Sequence, residues 1–293
     1  MLSKYKYHLW LHFIILIWGF TGVIGKELGL LDTTAVTIVF YRMLIGLISL
    51  FIVLRFLKHK IRITKKGLFA TLGTGLIIAA HWITFFKAIQ LSNISLALVF
   101  LSTTALFTSF IEPLILKRKY DFKESLMGIT IIVGIAVIAN TSSDYYIAMI
   151  LALISAMCAA FFSVINGKLV KEHDPKSITI FEMLGGFIGV AIFFALSGEL
   201  NTAALAIDLE QFGHLFILGS VCTAFAFLVG VELSKHLPIF TMNITINLEP
   251  IYAVILGLLF YPNTEVMPPG FYLGATIILG TIFVNALLKR RKT

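Results

Sequence analysis

The sequence predicts an all-α polytopic membrane protein, with ten transmembrane helices arranged as two inverted five-helix repeats. Of its 293 residues, 59% are hydrophobic and only 13% are charged, whereas a soluble domain has roughly 45–50% apolar and about 25% charged residues. The apolar residues form runs of span length, and the basic residues are concentrated in every second connection. Lipid is therefore the predicted solvent for most of the chain.

The apolar runs predict the individual helices. A helix needs about 20 mostly apolar residues to cross about 30 Å of hydrocarbon. Backbone amides must be paired within the segment when lipid surrounds them, which favours helices over open strands. Ten stretches meet these conditions, at 8–26, 34–56, 67–89, 93–116, 125–141, 146–167, 177–197, 213–234, 238–261 and 270–288. Their connections are short and leave no room for a separate soluble domain.

The positions of Lys and Arg predict the orientation. A cytoplasmic N-terminus places 20 of the 23 basic residues in inner connections or at the termini, while the outer connections carry only Lys26. This asymmetry is the positive-inside pattern, so both termini are predicted to be cytoplasmic. The basic loops also favour the inner membrane of a bacterium. The net charge of +8 is therefore explained by basic loops on the cytoplasmic side, next to membrane lipid. No nucleic-acid partner is expected.

A weak internal repeat supports two related halves. A shift of 146 places Gly128 on Gly274, and a shift of 140 places residues 41–46 on 181–186. Because each half has an odd number of predicted spans, the second half enters the membrane upside down. Inverted repeats of this kind recur in transporters, with the substrate site near the midplane between the copies. The predicted repeats are 1–143 and 144–293.

Several short motifs carry a family resemblance that covers essentially the whole chain. They are Trp18-Gly19-Phe20, Phe40-Tyr41-Arg42, Phe85-Phe86-Lys87-Ala88-Ile89, Leu248-Glu249-Pro250 and the glycine pairs of the fifth and tenth spans. In these motifs the chain resembles the drug/metabolite transporter superfamily, specifically its EamA-type ten-span branch. The resemblance implies export or exchange of a metabolite. Members of one fold differ in substrate, so the implied fold is more specific than the implied function.

Ionisable side chains inside spans are the first candidates for a site, because each costs at least about 2.5–3.5 kcal/mol at the bilayer centre and normally faces the bundle interior. Six residues qualify: Arg42, Lys87, Glu112, Glu182, Glu232 and Glu249. The three glutamates nearest the cytoplasmic ends, at 112, 182 and 232, are expected to snorkel to the surface. Arg42 and Lys87 are predicted to attract a carboxylate, although Lys87 is also placed to snorkel at the outer surface and Arg42 to hold a conformation.

Glu249 is the deepest of these residues and directly precedes Pro250. Proline cannot donate to the carbonyl four residues back, so the carbonyl of Ile246 loses its usual partner. An opened helix beside a carboxylate is a candidate site for a substrate amine, a cation or a coupling proton. The alternative interpretation is a structural kink with Glu249 paired to a basic neighbour.

Polar and aromatic neighbours complete the predicted substrate site. The third span contributes a cluster of histidine, aromatic and hydroxyl side chains around Lys87, and other spans add a deep tryptophan, a threonine, an asparagine and a tyrosine. The full predicted set is Trp18, Arg42, His81, Trp82, Thr84, Phe86, Lys87, Thr104, Asn247, Glu249 and Tyr252. No cofactor and no metal ion is expected.

The function predicted from these features is secondary transport of a small metabolite, an amino acid or carboxylate, by alternating access. A multidrug exporter of hydrophobic cations is the alternative within transport, since Glu249 with aromatic neighbours would suit a cation. An integral membrane enzyme is disfavoured because the sequence has no H-E-x-x-H or G-x-S-x-G motif, and ATP-driven transport because it has no P-loop. A receptor without transport is left open, as are a monomer and a homodimer.

Overall fold

The structure is a computed structural model that describes residues 2–117, 122–197, 205–233, 236–237, 242, 245–246 and 248–290, without the side chains of 2–4, 122–126, 197, 231 and 285–290. Within these ranges the chain is helical and forms no strand. This result confirms the predicted all-α class.

The helices follow one another with short connections. In chain order they are α1 (Leu2–Leu30), α2 (Ala35–Phe56), α3 (Lys65–Leu91), α4 (Ile94–Leu101), α5 (Thr104–Leu116), α6 (Phe122–Thr141), α7 (Tyr146–Leu169), α8 (Pro175–Ser197), α9 (Leu209–Phe216), a π-helical segment (Ile217–Phe225), α10 (Ala226–Leu233), α11 (Glu249–Phe260) and α12 (Pro269–Arg290).

Seven helical stretches of the described chain are long and apolar enough to cross a membrane. They are Tyr5–Leu30, Ala35–Phe56, Lys65–Leu91, Ile94–Leu116, Ser143–Leu169, Pro175–Leu196 and Leu209–Gly230. Three shorter apolar helices, at Met127–Thr141, Glu249–Phe260 and Pro269–Val284, coincide with the remaining predicted spans. The first half of the predicted span at 238–261 lies largely outside the described residues.

The fourth predicted span is broken into α4 and α5. The hydroxyls of Ser102, Thr103 and Thr104 each donate to the carbonyl three residues back, at 2.6 Å. Such bonds compete with the regular helical ladder and bend helices. The run of three consecutive hydroxyl residues therefore explains why the regular helix is interrupted in the middle of a continuous apolar stretch.

The eighth predicted span contains a π-helical segment in its middle. Thr223 donates its hydroxyl hydrogen to the carbonyl of Leu218, five residues back, at 2.9 Å. Wider turns of this type are uncommon and are often found at functional sites. Here the wider turn faces α2, because a Cβ at Gly219 would overlap Ile45 and would lie 3.2 Å from the carbonyl oxygen of Arg42.

Helices from the first half of the chain pack against helices from the second half. α3 packs against α7 and α8, α2 against α8 and the π-helical segment, α1 against α11, and α6 against α12. The contact between α3 and α8 is especially close: a Cβ at Gly75 would overlap the carbonyl oxygen of Glu182, and one at Gly185 would overlap the backbone of Leu72. Small residues allow this approach of backbones in membrane helices.

Candidate functional site

Arg42 occupies the centre of the bundle. It lies seven residues into α2 and is only 3% exposed. Its guanidinium carbon is 3.7 Å from the centroid of the Trp82 ring and 5.7 Å from that of Phe86, both on α3. A cation over an aromatic face is stabilised by the ring quadrupole, and more strongly when water is excluded. Three of the predicted site residues, Arg42, Trp82 and Phe86, are therefore in contact.

Thr223 fixes the orientation of the guanidinium. Arg42 Nε donates to Thr223 Oγ1 at 2.9 Å, while the hydroxyl hydrogen of Thr223 is engaged with the carbonyl of Leu218. The threonine oxygen therefore acts as the acceptor, and the π-helical segment holds it in place. The sequence analysis missed Thr223, because nothing in an apolar run indicates a wider helical turn.

The guanidinium retains unused hydrogen-bonding capacity. Its Nη1 is buried and has no hydrogen-bond partner, although an arginine side chain has five N–H donors. Glu249, the first residue of α11, is within electrostatic range of Arg42, yet within the described part of the chain no carboxylate oxygen approaches Arg42 to ion-pair distance. A buried cation of this kind requires an anionic or hydrogen-bonding partner, so the site can accept a carboxylate.

His81 lies beside this cluster but is already hydrogen-bonded to α7. Its Nδ1 is 2.8 Å from Ser155 Oγ and 3.0 Å from the Ser155 carbonyl oxygen, and Ser155 Oγ donates to the His81 carbonyl at 3.0 Å. Phe85 and Phe162 flank the ring, with centroids 6.2 and 5.5 Å away. The histidine therefore connects α3 to α7 next to the site.

Trp18 and Tyr252 lie on the opposite side, between α1, α10 and α11. The Tyr252 hydroxyl is 2.8 Å from His12 Nδ1, and Trp18 meets Phe227 edge to face at 6.2 Å. Both side chains are half-buried. Both pack against a smaller hydrophobic cluster that includes Leu11, Ile14 and Ala226, and their hydrogen bond and ring pair are with His12 and Phe227.

The remaining predicted residues are not brought to Arg42. Lys87 is exposed on the face of α3 that also carries the exposed Leu76 and Leu91. The hydroxyl of Thr84 donates to the carbonyls of Ala80 and His81. The hydroxyl of Thr104, at the start of α5, donates to the carbonyl of Leu101 at the end of α4, and Asn247 lies outside the described residues.

The prediction that the Glu182 side chain snorkels to the surface is wrong. The residue is only 1% exposed, because it lies seven residues into α8 where α3 approaches most closely.

An ion pair joins helices at the end of the bundle that the sequence predicts to lie outside. Lys26 Nζ is 2.8 Å from Glu265 Oε1, and the fully buried Glu265 also accepts from the backbone nitrogens of Ile94 and Ser95 at 3.0 and 2.9 Å. The carboxylate thus caps the N-terminus of α4, where the helix dipole favours negative charge. Nearby, burial and a hydrogen bond to a glutamate raise the pKa of the Tyr261 phenol.

A second set of contacts joins two connections at the end of the bundle that the sequence predicts to be cytoplasmic. His59 Nε2 is 3.0 Å from Asp174 Oδ2, and the backbone nitrogen of Arg62 donates to Ser177 Oγ at 3.2 Å. Asp174 also accepts from the backbone nitrogen of Ser177 at 3.0 Å. These contacts tie the connection between α2 and α3 to the start of α8.

Together, these apolar helices define an integral membrane protein that buries several charged side chains in its interior. Across the described residues, no three His, Cys, Asp or Glu side chains are grouped to hold a metal ion.

The chain matches the profile of the EamA-like transporter family twice, at residues 6–140 and 146–287. It therefore belongs to that family, as the sequence motifs predicted. An uncharacterized transporter of Archaeoglobus fulgidus is 21% identical over 299 residues, covering 96% of this chain and 97% of the relative. A solved crystal structure with 14% identity superposes with a TM-score of 0.67, covering 98% of this chain and 99% of the other. That likeness concerns the fold alone.

Proposed function

We propose that the protein is a secondary transporter that exports or exchanges a small carboxylate-bearing metabolite, such as an amino acid, by alternating access. The observation that carries this proposal is the buried Arg42 guanidinium with its unpartnered Nη1. Trp82 supports the cation from one face and Thr223 orients it. A substrate carboxylate would supply the missing acceptor, and Glu249, within electrostatic range, would attract the amine of a zwitterion.

The same proposal includes ten spans in two inverted repeats, at 1–143 and 144–293. Reciprocal packing supports it: α3, the third span of the first repeat, packs against α7 and α8, the first two spans of the second. The corresponding span of the second repeat, Leu209–Leu233, packs in turn against α1 and α2. The fifth and tenth spans, α6 and α12, pack against each other. The basic inner connections support cytoplasmic termini in a bacterial inner membrane.

Alternating access is supported by the contacts at the two ends of the bundle. The outer ion pair joins α1 and the start of α4 to the connection before α12, and the inner pair joins the connection after α2 to the start of α8. Arg42 lies between these two sets of contacts. We infer that opening one set while the other stays closed exposes the guanidinium to one side of the membrane at a time.

Transport in reconstituted vesicles tests the proposal. Radiolabelled alanine, glutamate, lactate, glucose and the lipophilic cation tetraphenylphosphonium would be offered to the wild type, Arg42→Gln, Arg42→Lys and Lys87→Met. A hydrogen bond to a charged group contributes about 1.5–3 kcal/mol, which corresponds to roughly a 10- to 150-fold change in affinity. We expect Arg42→Gln to lose carboxylate flux by that factor, and Arg42→Lys to restore little because lysine lacks the planar fork.

Lys87→Met is the matched control, since Lys87 is a basic residue of the neighbouring helix that faces outward. Its carboxylate flux should equal that of the wild type. A collapse of flux in Lys87→Met, with Arg42→Gln unaffected, would move the anion site to Lys87. Flux of tetraphenylphosphonium alone would refute the carboxylate proposal and favour an exporter of hydrophobic cations centred on Glu249.

A further inference from the structure

Glu182 is an acidic side chain that the carboxylate site described above does not use. It is 1% exposed, and its Oε1 is buried without a hydrogen-bond partner. No basic side chain of the described chain lies within ion-pair distance of it. An ionised carboxylate in such surroundings is very unfavourable, because neither water nor a cation replaces its hydration.

The helices around Glu182 offer no charge to balance it. α3 contacts it through Gly75, α2 approaches the next turn of α8 through Met43 against Gly186, and α7 contributes Asn166. The buried titratable groups on these helices are engaged elsewhere: Arg42 with Trp82 and Thr223, and His81 with Ser155. The other charged groups do not face it: Arg55, Lys65, Lys66, Lys87 and Lys168 are exposed, and Glu232 of α10 is 3.6 Å from His236. Lys176, six residues before Glu182 on α8, lies about 120° around the helix from it.

Asn166 of α7 is the polar neighbour of Glu182. The two side chains lie within interaction range, and Glu182 Oε1 and Asn166 Oδ1 are both buried without a hydrogen-bond partner. A carboxylic acid and a carboxamide are complementary, since the acid donates its O–H to the amide oxygen and accepts an amide N–H. One proton on Glu182 Oε1 turns this acceptor into a donor, which is the kind of group that the unpartnered Asn166 Oδ1 requires.

We propose that Glu182 is the binding site of the coupling proton, with Asn166 as its positioning residue. The proposal rests on the proposed transport function. The proton is taken from water on one side, held on Glu182 Oε1, and released to water on the other side, with no other bond made or broken. Loss of the proton leaves a carboxylate that requires hydration, which favours the conformation in which water reaches it between α3 and α8.

The position of Glu182 links proton binding to the substrate site. The α3 backbone packs directly on Glu182 at Gly75, and the same helix carries Trp82 beneath Arg42 two turns further on. Movement of α3 relative to α8 on deprotonation would displace the aromatic support of the guanidinium. The proton and the carboxylate thus act on the same helix, at points of α3 two turns apart.

Infrared difference spectroscopy of the purified full-length protein tests the protonation directly. At neutral pH the wild type should show the carbonyl band of a protonated carboxylic acid that is missing in Glu182→Gln and present in the control Glu232→Gln. In Asn166→Leu the band should persist but move to the frequency of a carboxylic acid without a hydrogen bond. A purely structural role of Asn166 would not produce this shift. Identical spectra for the wild type and Glu182→Gln would overturn the proposal.

Transport in vesicles with an imposed pH gradient tests coupling. The gradient should drive accumulation of alanine or lactate by the wild type and by Glu232→Gln, and this accumulation should be lost in Glu182→Gln, whose amide cannot exchange a proton. Gradient-driven accumulation by Glu182→Gln at the wild-type level would contradict the coupling role. If the wild type transports neither alanine nor lactate, the proposed function fails, whereas the infrared measurement still decides whether Glu182 holds a proton.

Discussion

Replacement of Glu265 by glutamine tests whether its ion pair with Lys26 stabilises the helix bundle. Each carboxylate oxygen accepts two bonds: Oε1 from Lys26 and from the backbone of Ile94, Oε2 from the backbone and hydroxyl of Ser95. Glutamine keeps the shape but converts one oxygen into a donor, so two of these bonds are lost. Removing one partner of a buried ion pair costs about 3–5 kcal/mol.

Thermal unfolding in detergent gives a suitable measurement of this loss. The two cysteines are free, with Cys222 buried and Cys158 partly buried, so a thiol-reactive dye reports unfolding. At roughly 2–4 °C per kcal/mol, the expected decrease in Tm is about 6–20 °C. Glu210→Gln is the control, because Glu210 is an exposed acid near the same end of the bundle.

A double-mutant cycle separates the ion pair from the helix cap. Lys26→Met removes the cation but leaves the bonds from Ile94 and Ser95 to Glu265. Coupling between Lys26→Met and Glu265→Gln is expected because the two side chains are in direct contact. A Tm of Glu265→Gln equal to that of Glu210→Gln would refute the reasoning, since it would mean that the buried carboxylate contributes no net stability.

Further substitutions test the contact between α3 and α8 and the ion pair between His59 and Asp174. Gly75→Ala should destabilise the protein by about 1–3 kcal/mol through overpacking against the α8 backbone. Gly73→Ala is the control, because a Cβ at Gly73 would meet no atom within 4 Å. Equal Tm values for the two variants would contradict the close packing of α3 on α8. His59→Ala should change stability by less than about 1 kcal/mol, since its ion pair is partly exposed. Asp174→Ala should cost more, about 0.5–2 kcal/mol, because Asp174 also accepts from the backbone of Ser177; a smaller loss than in His59→Ala would argue against that capping role.

The sequence predicted the helical class well because lipid imposes length and composition on each span directly. It did not predict the break between α4 and α5 or the π-helical segment, since both depend on hydroxyls of Ser102 to Thr104 and of Thr223 that bond backbone carbonyls. Such local competition leaves the apolar composition unchanged. It is therefore invisible to a criterion based on hydropathy.

The candidate site was predicted in part. Arg42 and Trp82 were both named, but their contact depends on how α2 and α3 pack. The separation of Lys87 from Trp82 could have been foreseen, since five residues at 3.6 per turn place the two side chains about 140° apart around α3. The burial of Glu182 could not, because depth along the span suggested a short path to the surface and only the packing of α3 closes that path.

If Arg42 holds the substrate carboxylate and Glu182 the proton, the charge moved in each cycle becomes predictable. Antiport of one proton against one zwitterionic amino acid transfers one net charge, whereas symport of a proton with a monocarboxylate transfers none. A potential of 100 mV contributes about 2.3 kcal/mol per charge, which is roughly a 40-fold change in the accumulation ratio. In vesicles with a potassium diffusion potential set by valinomycin, alanine accumulation should follow the potential in the wild type and be lost in Glu182→Gln. Accumulation of alanine that ignores the potential in the wild type would show that the proton and the zwitterion do not move against each other one for one.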